Sequence, residues 1–157
     1  MAEILFESGI IEDDIYAVTK EGKKIKTGVA IYDLEDSKVR ISLIKMKDDI
    51  KSIENKYTSL INNAESDKSN DDDGFPNNIK TISNLYLDFT NELIEVVDNV
   101  FGEGFSQRAI DDSKNPTFLI GVIAEIIFNY EGVSDDRFAK YTNRAQRRAG
   151  IKAGEKT

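Results

Sequence analysis

Three aspartates, Asp71, Asp72 and Asp73, stand before Gly74, and a run of this kind could open an oxygen-lined calcium loop. The register rejects it. With Gly74 on the loop's obligatory glycine, Ser69 takes the first ligand position and Lys80 falls where a bidentate glutamate is needed. The stretch GEGFSQR, residues 102–108, is glycine-rich in the manner of a phosphate loop, but it lacks the Gly-Lys-Ser/Thr that grips phosphate. It also follows an apolar helical pattern, so its glycines read as a helix stop. The pairs Asp111–Asp112 and Asp135–Asp136 could in principle share acid–base work, yet neighbours in sequence point apart on a helix or turn. Capping and dipole effects already account for acids at such places. With no histidine and no cysteine in the chain, serine hydroxyls lack an imidazole to activate them and zinc-type ligand spacings cannot arise. The residues therefore predict a protein that is not an enzyme and holds no metal or cofactor.

The chemistry that remains is charge. The chain of 157 residues carries a net −8, unevenly spread. Residues 137–157 hold Arg137, Lys140, Arg144, Arg147, Arg148, Lys152 and Lys156 against Glu155 alone, a net +6, so residues 1–136 carry −14. Positions 137, 140, 144 and 147 recur at helical-neighbour spacing and predict one basic face. An acidic body repels nucleic acid and anionic membrane, which confines any such binding to the basic end. The aromatics there, Phe138 and Tyr141, fall beside the stripe as anchors, without the contiguous stacking platform that bases require. Nucleic acid is thus a weak candidate partner. No apolar run is long enough to cross a membrane, and the opening MAEILFESGIIEDD lacks the basic region of a signal peptide, so a cytosolic setting is expected.

The elements that must position these groups read as one domain, mainly α within an α+β class. A small N-terminal β-hairpin (residues 1–35) precedes a bundle-like set of four to five helices. DIYAVTK and GVAIYDL are β-branched, aromatic runs joined through a turn at Glu21-Gly22, with EILFES as a further strand candidate. From Asp36 the period changes. Val39, Leu43, Met46, Ile50, Ile53, Tyr57, Leu60 and Ala64 form a heptad stripe on one long helix, residues 36–64. A polar loop over 65–77 is expected to be mobile. A second helix then carries the seam Ile82, Tyr86, Phe89, Leu93, Val96 and Val100, with Ile79, Leu85 and Val97 widening it. Two such seams predict a helical hairpin, or else one seam packed against a partner chain or a second copy. A short helix over FSQRAIDD follows the glycines. Asn115 and Pro116 open an apolar helix carrying Ile123 and Ile127, Gly132 is expected to end it, and Ser134 to cap a last basic helix. Residues 78–136 make the helical core and 137–157 the basic C-terminal helix and tail.

The order of these features, with NVFGEGFSQRAI closing one helix and YTNRAQRRAG closing the last, resembles the small tail assembly chaperones of long-tailed (siphovirus-type) bacteriophages of Gram-positive hosts. The resemblance spans roughly residues 30–150 and rests on short FGEG-like and NRAQRR-like motifs in sequence. It implies a non-enzymatic protein of the bacterial host cytoplasm that binds the tape measure protein and recruits tail tube subunits; a homo-oligomer is a further partner reading. A longer frameshifted form is usual in that family. Phe89, Leu93, Val96, Ile123, Ile127, Arg144, Arg147 and Arg148 are the candidate partner-binding residues. A virion connector or tail-completion protein, and a nucleic-acid-binding regulator acting through the basic helix, are the alternative readings.

Overall fold

The structure, a computed structural model, describes residues 2–142, with side chains described through Tyr130. Its elements run β1 (Ile10–Val18), β2 (Lys24–Asp33), α1 (Ser37–Glu65), α2 (Asn77–Phe101), α3 (Phe105–Ile110) and α4 (Pro116–Thr142). The expected α+β, mainly helical class is what forms, a β-hairpin followed by four helices. By its internal contacts the chain divides into two compact units, Met1–Val122 and Ile123–Thr157, where the sequence reading has a single domain.

The hairpin turn is closed by the Gly22 amide on the Thr19 carbonyl at 2.9 Å, and Gly22 takes the positive φ of 84° that such a turn needs. EILFES does not join the sheet; β1 and β2 pair alone, and Ile4, Leu5 and Phe6 stand in solvent. A two-stranded ribbon is marginal in water, so it must dock. It does so through an irregularity in its own ladder. Ile15 pairs with Gly28 but Tyr16 with Lys26, leaving Thr27 as the extra residue of a β-bulge. The Thr27 hydroxyl lies 3.3 Å from the Ile15 carbonyl and 3.2 Å from that of Ala109, tying the bulge to the end of α3. Ala30, Tyr32 and Leu34 continue the buried side of β2, and the Tyr32 hydroxyl donates to Asp13 at 2.7 Å.

Asp36 caps α1, its carboxylate accepting from the amides of Lys38 (2.8 Å) and Val39 (3.4 Å). The expected helical hairpin of α1 and α2 forms, but its seam drifts. Leu43, Met46, Ile50, Tyr57 and Ile61 are the buried positions of α1, and Leu60 is exposed. On α2 the buried set is Phe89, Thr90, Leu93 and Val97, while Tyr86 is exposed and Val96 and Val100 are half-buried. A helix that does not supercoil keeps 3.6 residues per turn, so a strict heptad loses its face by about 20° each repeat. Tyr57 stacks flat on Phe89 at a centroid distance of 5.0 Å, in the middle of the hairpin.

The polar segment over 65–77 closes in a hydrogen-bonded turn. Asp71 accepts from the amides of Asp73 and Phe75, both at 2.9 Å, its own amide donates to the Phe75 carbonyl, and Asn70 bridges to Pro76. Gly102 ends α2 at φ 111°, as expected, and the Phe118 amide donates to Asn115 where α4 begins. The expected break at Gly132 is absent, and so is a cap at Ser134, because α4 continues to Thr142. A single glycine costs a helix interior only about 1 kcal/mol, and no proline follows to enforce the stop.

In the second unit the described part is the remainder of α4. Ile123 and Ile126 are buried there, Ile127 is half-buried and Phe128 is exposed.

Candidate protein-binding surfaces

The places that invite small-molecule chemistry are already occupied by the chain itself. The amino end of α3 carries no side-chain cap from its own N-cap residue, Gly104. Asp98, from the last turn of α2, supplies it instead. Its carboxylate accepts from the Gly104 amide at 3.2 Å, the Ser106 amide at 2.9 Å and the Ser106 hydroxyl at 2.8 Å. An anion sought by those amides would meet a carboxylate in place. Asp111 sits at φ 55° as the turn after α3, and both it and Asp112 are exposed. Among the described residues no group of three or more His, Cys, Asp or Glu could hold a metal ion, and no helix is long and apolar enough to cross a membrane.

The candidate contact residues separate into three groups. Phe89 and Leu93 are core, Phe89 against Tyr57 and Leu93 with no exposure, so the folded chain does not present them to a partner. Ile123 is buried as well. Their apolar character signalled burial, and sequence alone does not say against what. Val96 is different: it lines a furrow of about 170 Å³ together with Met46, Val100, Ser42, Lys45, Asp49 and Asn99. Ile127 is half-buried. Arg144, Arg147 and Arg148 lie outside the described residues.

Sequence reasoning missed the residues that do stand in solvent. On α1, Ile41 and Ile44 are 74% and 64% exposed, on the side away from the seam; Ile41 precedes Lys45 of the furrow by one turn. At the far end of the hairpin, Phe75, Ile79 and Tyr86 are exposed too. For Ile41 and Ile44 the signal was available, since an apolar residue off the seam of an amphipathic helix needs another explanation than the core.

Beside Phe89 a small polar cluster locks the two helices. Lys56 meets Glu92 at 3.0 Å and lies 5.0 Å from the Tyr57 ring centre. Burial, and then the hydrogen bond to Glu92, push the Tyr57 phenol up to about 12. Glu92 is held below the ordinary carboxylate range, first by Tyr57 and then by Lys56. The signs follow from linkage. Tyr57 contributes stability that is complete below pH 10 and is lost as pH rises towards 12; Glu92 contributes stability present above its ordinary range and lost as pH falls through it. Alkaline absorbance titration is expected to show a tyrosine step near 12 that Tyr57→Phe removes. A titration curve unchanged near 12 in Tyr57→Phe would contradict the assignment.

Comparison of the chain with protein-family profiles, with curated proteins and with solved structures returns no match.

Proposed function

We propose that this chain is a non-enzymatic tail assembly chaperone of a long-tailed bacteriophage, binding the tape measure protein and recruiting tail tube subunits in the host cytoplasm. The observation that carries the reading is the large apolar side chains left in solvent along a helical hairpin whose own core is complete, Ile41 and Ile44 above all. Exposed apolar clusters of this kind mark interaction surfaces. An amphipathic helix docks by laying its apolar ridge in a groove, and the furrow lined by Met46, Val96 and Val100 offers a small one on the same hairpin. The order of FGEG and NRAQRR motifs points to the same class of protein. A coat that tube subunits later displace needs small, repeated, reversible contacts, which the neighbouring pair Ile41 and Ile44 on a charged surface can supply.

Co-expression with the tape measure protein tests the proposal. The tape measure stays in the soluble fraction with the chain and precipitates without it, and mass spectrometry finds the chain absent from finished virions. Equal solubility in both cultures would remove the reading; a chain retained at fixed stoichiometry in virions would make it a structural component instead.

A further inference from the structure

The stripe of α2 that is buried at Thr90, Leu93 and Val97 continues towards the helix start at Ile82, Tyr86 and Ile79, at the same three- and four-residue spacings. Its upper part is covered. The Thr90 hydroxyl lies 3.1 Å from the Lys114 carbonyl, where the chain returns from α3. Its lower part is not: Ile79 is 53% and Tyr86 40% exposed, and Phe75 extends the line at 66%. Phe75, Pro76 and Ile79, with Asp71, Lys80 and Thr81, line an open hollow of about 450 Å³. The turn above it is strongly acidic. Residues 65–76 hold Glu65, Asp67, Asp71, Asp72 and Asp73 against Lys68, a net −4. Apolar side chains next to an acidic turn select side chains that are greasy along their stems and cationic at their tips. Arginine fits best, since its guanidinium pairs with carboxylates and lies flat on aromatic rings such as Phe75.

This chain carries such a segment. Residues 143–157 hold Arg144, Arg147, Arg148, Lys152 and Lys156 against Glu155, a net +4, with Ala145, Ala149 and Ile151 interleaved. Length is sufficient in any conformation: fifteen residues span about 22 Å even at a helix's short rise, against about 10 Å from Ile79 to Tyr86. We propose that the acidic, apolar end of the α1–α2 hairpin, at Phe75, Ile79 and Tyr86, receives the arginine-rich C-terminal segment of a second copy of this chain. The contact is head-to-tail, so one copy offers its tail while its own hairpin end stays open for the next, and association proceeds as open chains or rings. It stands independently of the tape measure reading, because it involves no other protein.

The test uses the purified full-length chain in sedimentation velocity. Wild type associates at low salt, and the association weakens steeply as salt rises, since the charge pairs are screened. Asp72→Lys with Asp73→Lys gives a chain with two basic ends, and Arg144→Glu, Arg147→Glu and Arg148→Glu gives one with two acidic ends. Each alone is monomeric, and an equimolar mixture recovers assembly. Ile79→Ser weakens assembly about tenfold through the lost apolar contact while leaving the salt dependence in place. Wild type that is monomeric at every salt concentration, charge-reversed chains that still self-associate, or a mixture that stays monomeric would each overturn the proposal. A tail folded back on its own chain belongs to the first of these outcomes.

Discussion

Gly28→Val unfolds the chain about 10 °C below wild type and releases the β-hairpin before the helices. A side chain at Gly28 has nowhere to go: a β-carbon built there lies 1.9 Å from the Arg108 carbonyl oxygen and 2.7 Å from that of Ala109. These are backbone atoms of α3, which cannot rotate away as a side-chain tip could. Overpacking of a tight site costs about 1–3 kcal/mol, and a clash with backbone atoms lies at the upper end. For a domain of this size that corresponds to about 10 °C in thermal midpoint. The same bulge positions Thr27 on Ala109, so the variant also separates that hydrogen bond. Circular dichroism with heating gives the midpoint, and amide exchange at β1 and β2 shows the local release. A Gly28→Val chain with an unchanged midpoint would mean that β2 does not approach α3 as described. Gly22→Ala provides the contrast, because nothing surrounds Gly22 and its strain is confined to the positive φ of 84°.

Phe105→Ala is expected to cost about 4 kcal/mol, the range for emptying a buried aromatic site. Phe105 has no exposed surface and stacks at 4.6 Å on Phe101, which in turn meets Tyr32 edge-on at 6.2 Å. That ladder of rings joins α2, α3 and β2, so its loss is felt in sheet and helices together. Phe105→Leu retains most of the volume and is expected to lose well under half as much. Chemical denaturation of both variants measures the difference. Equal small losses would place Phe105 at the surface.

Local chemistry made much of the fold legible. Asp36 before a helical period, Gly102 after one, Gly22 in the hairpin and Asn115-Pro116 ahead of α4 each act on their immediate neighbours, and each does in the structure what its side chain or backbone freedom suggests. Features set by distant parts of the chain were not legible. Asp98 reads as one more acid on a polar face, and only the return of the chain through Gly102 and Gly104 brings α3 onto it. Thr27 and Gly28 look like ordinary strand residues until Ala109 arrives. Phe89 and Leu93 were offered as contact residues on the strength of being apolar, and the same property made them core. The heptad put Leu60 in the seam and only the true helical period puts Ile61 there. Ile41 and Ile44, off the stripe, were passed over for that reason.

Those two isoleucines meet another protein if the chain is a chaperone of this kind, since nothing within the described chain covers them. The most direct measurement is the soluble fraction of tape measure protein co-expressed with Ile41→Glu/Ile44→Glu chain, alongside the thermal midpoint of the purified variant. Surface substitutions of this kind change stability by about 0.5 kcal/mol or less, so the midpoint stays near wild type. The account predicts that a folded variant leaves the tape measure insoluble. A folded variant that keeps it as soluble as wild type does would contradict it.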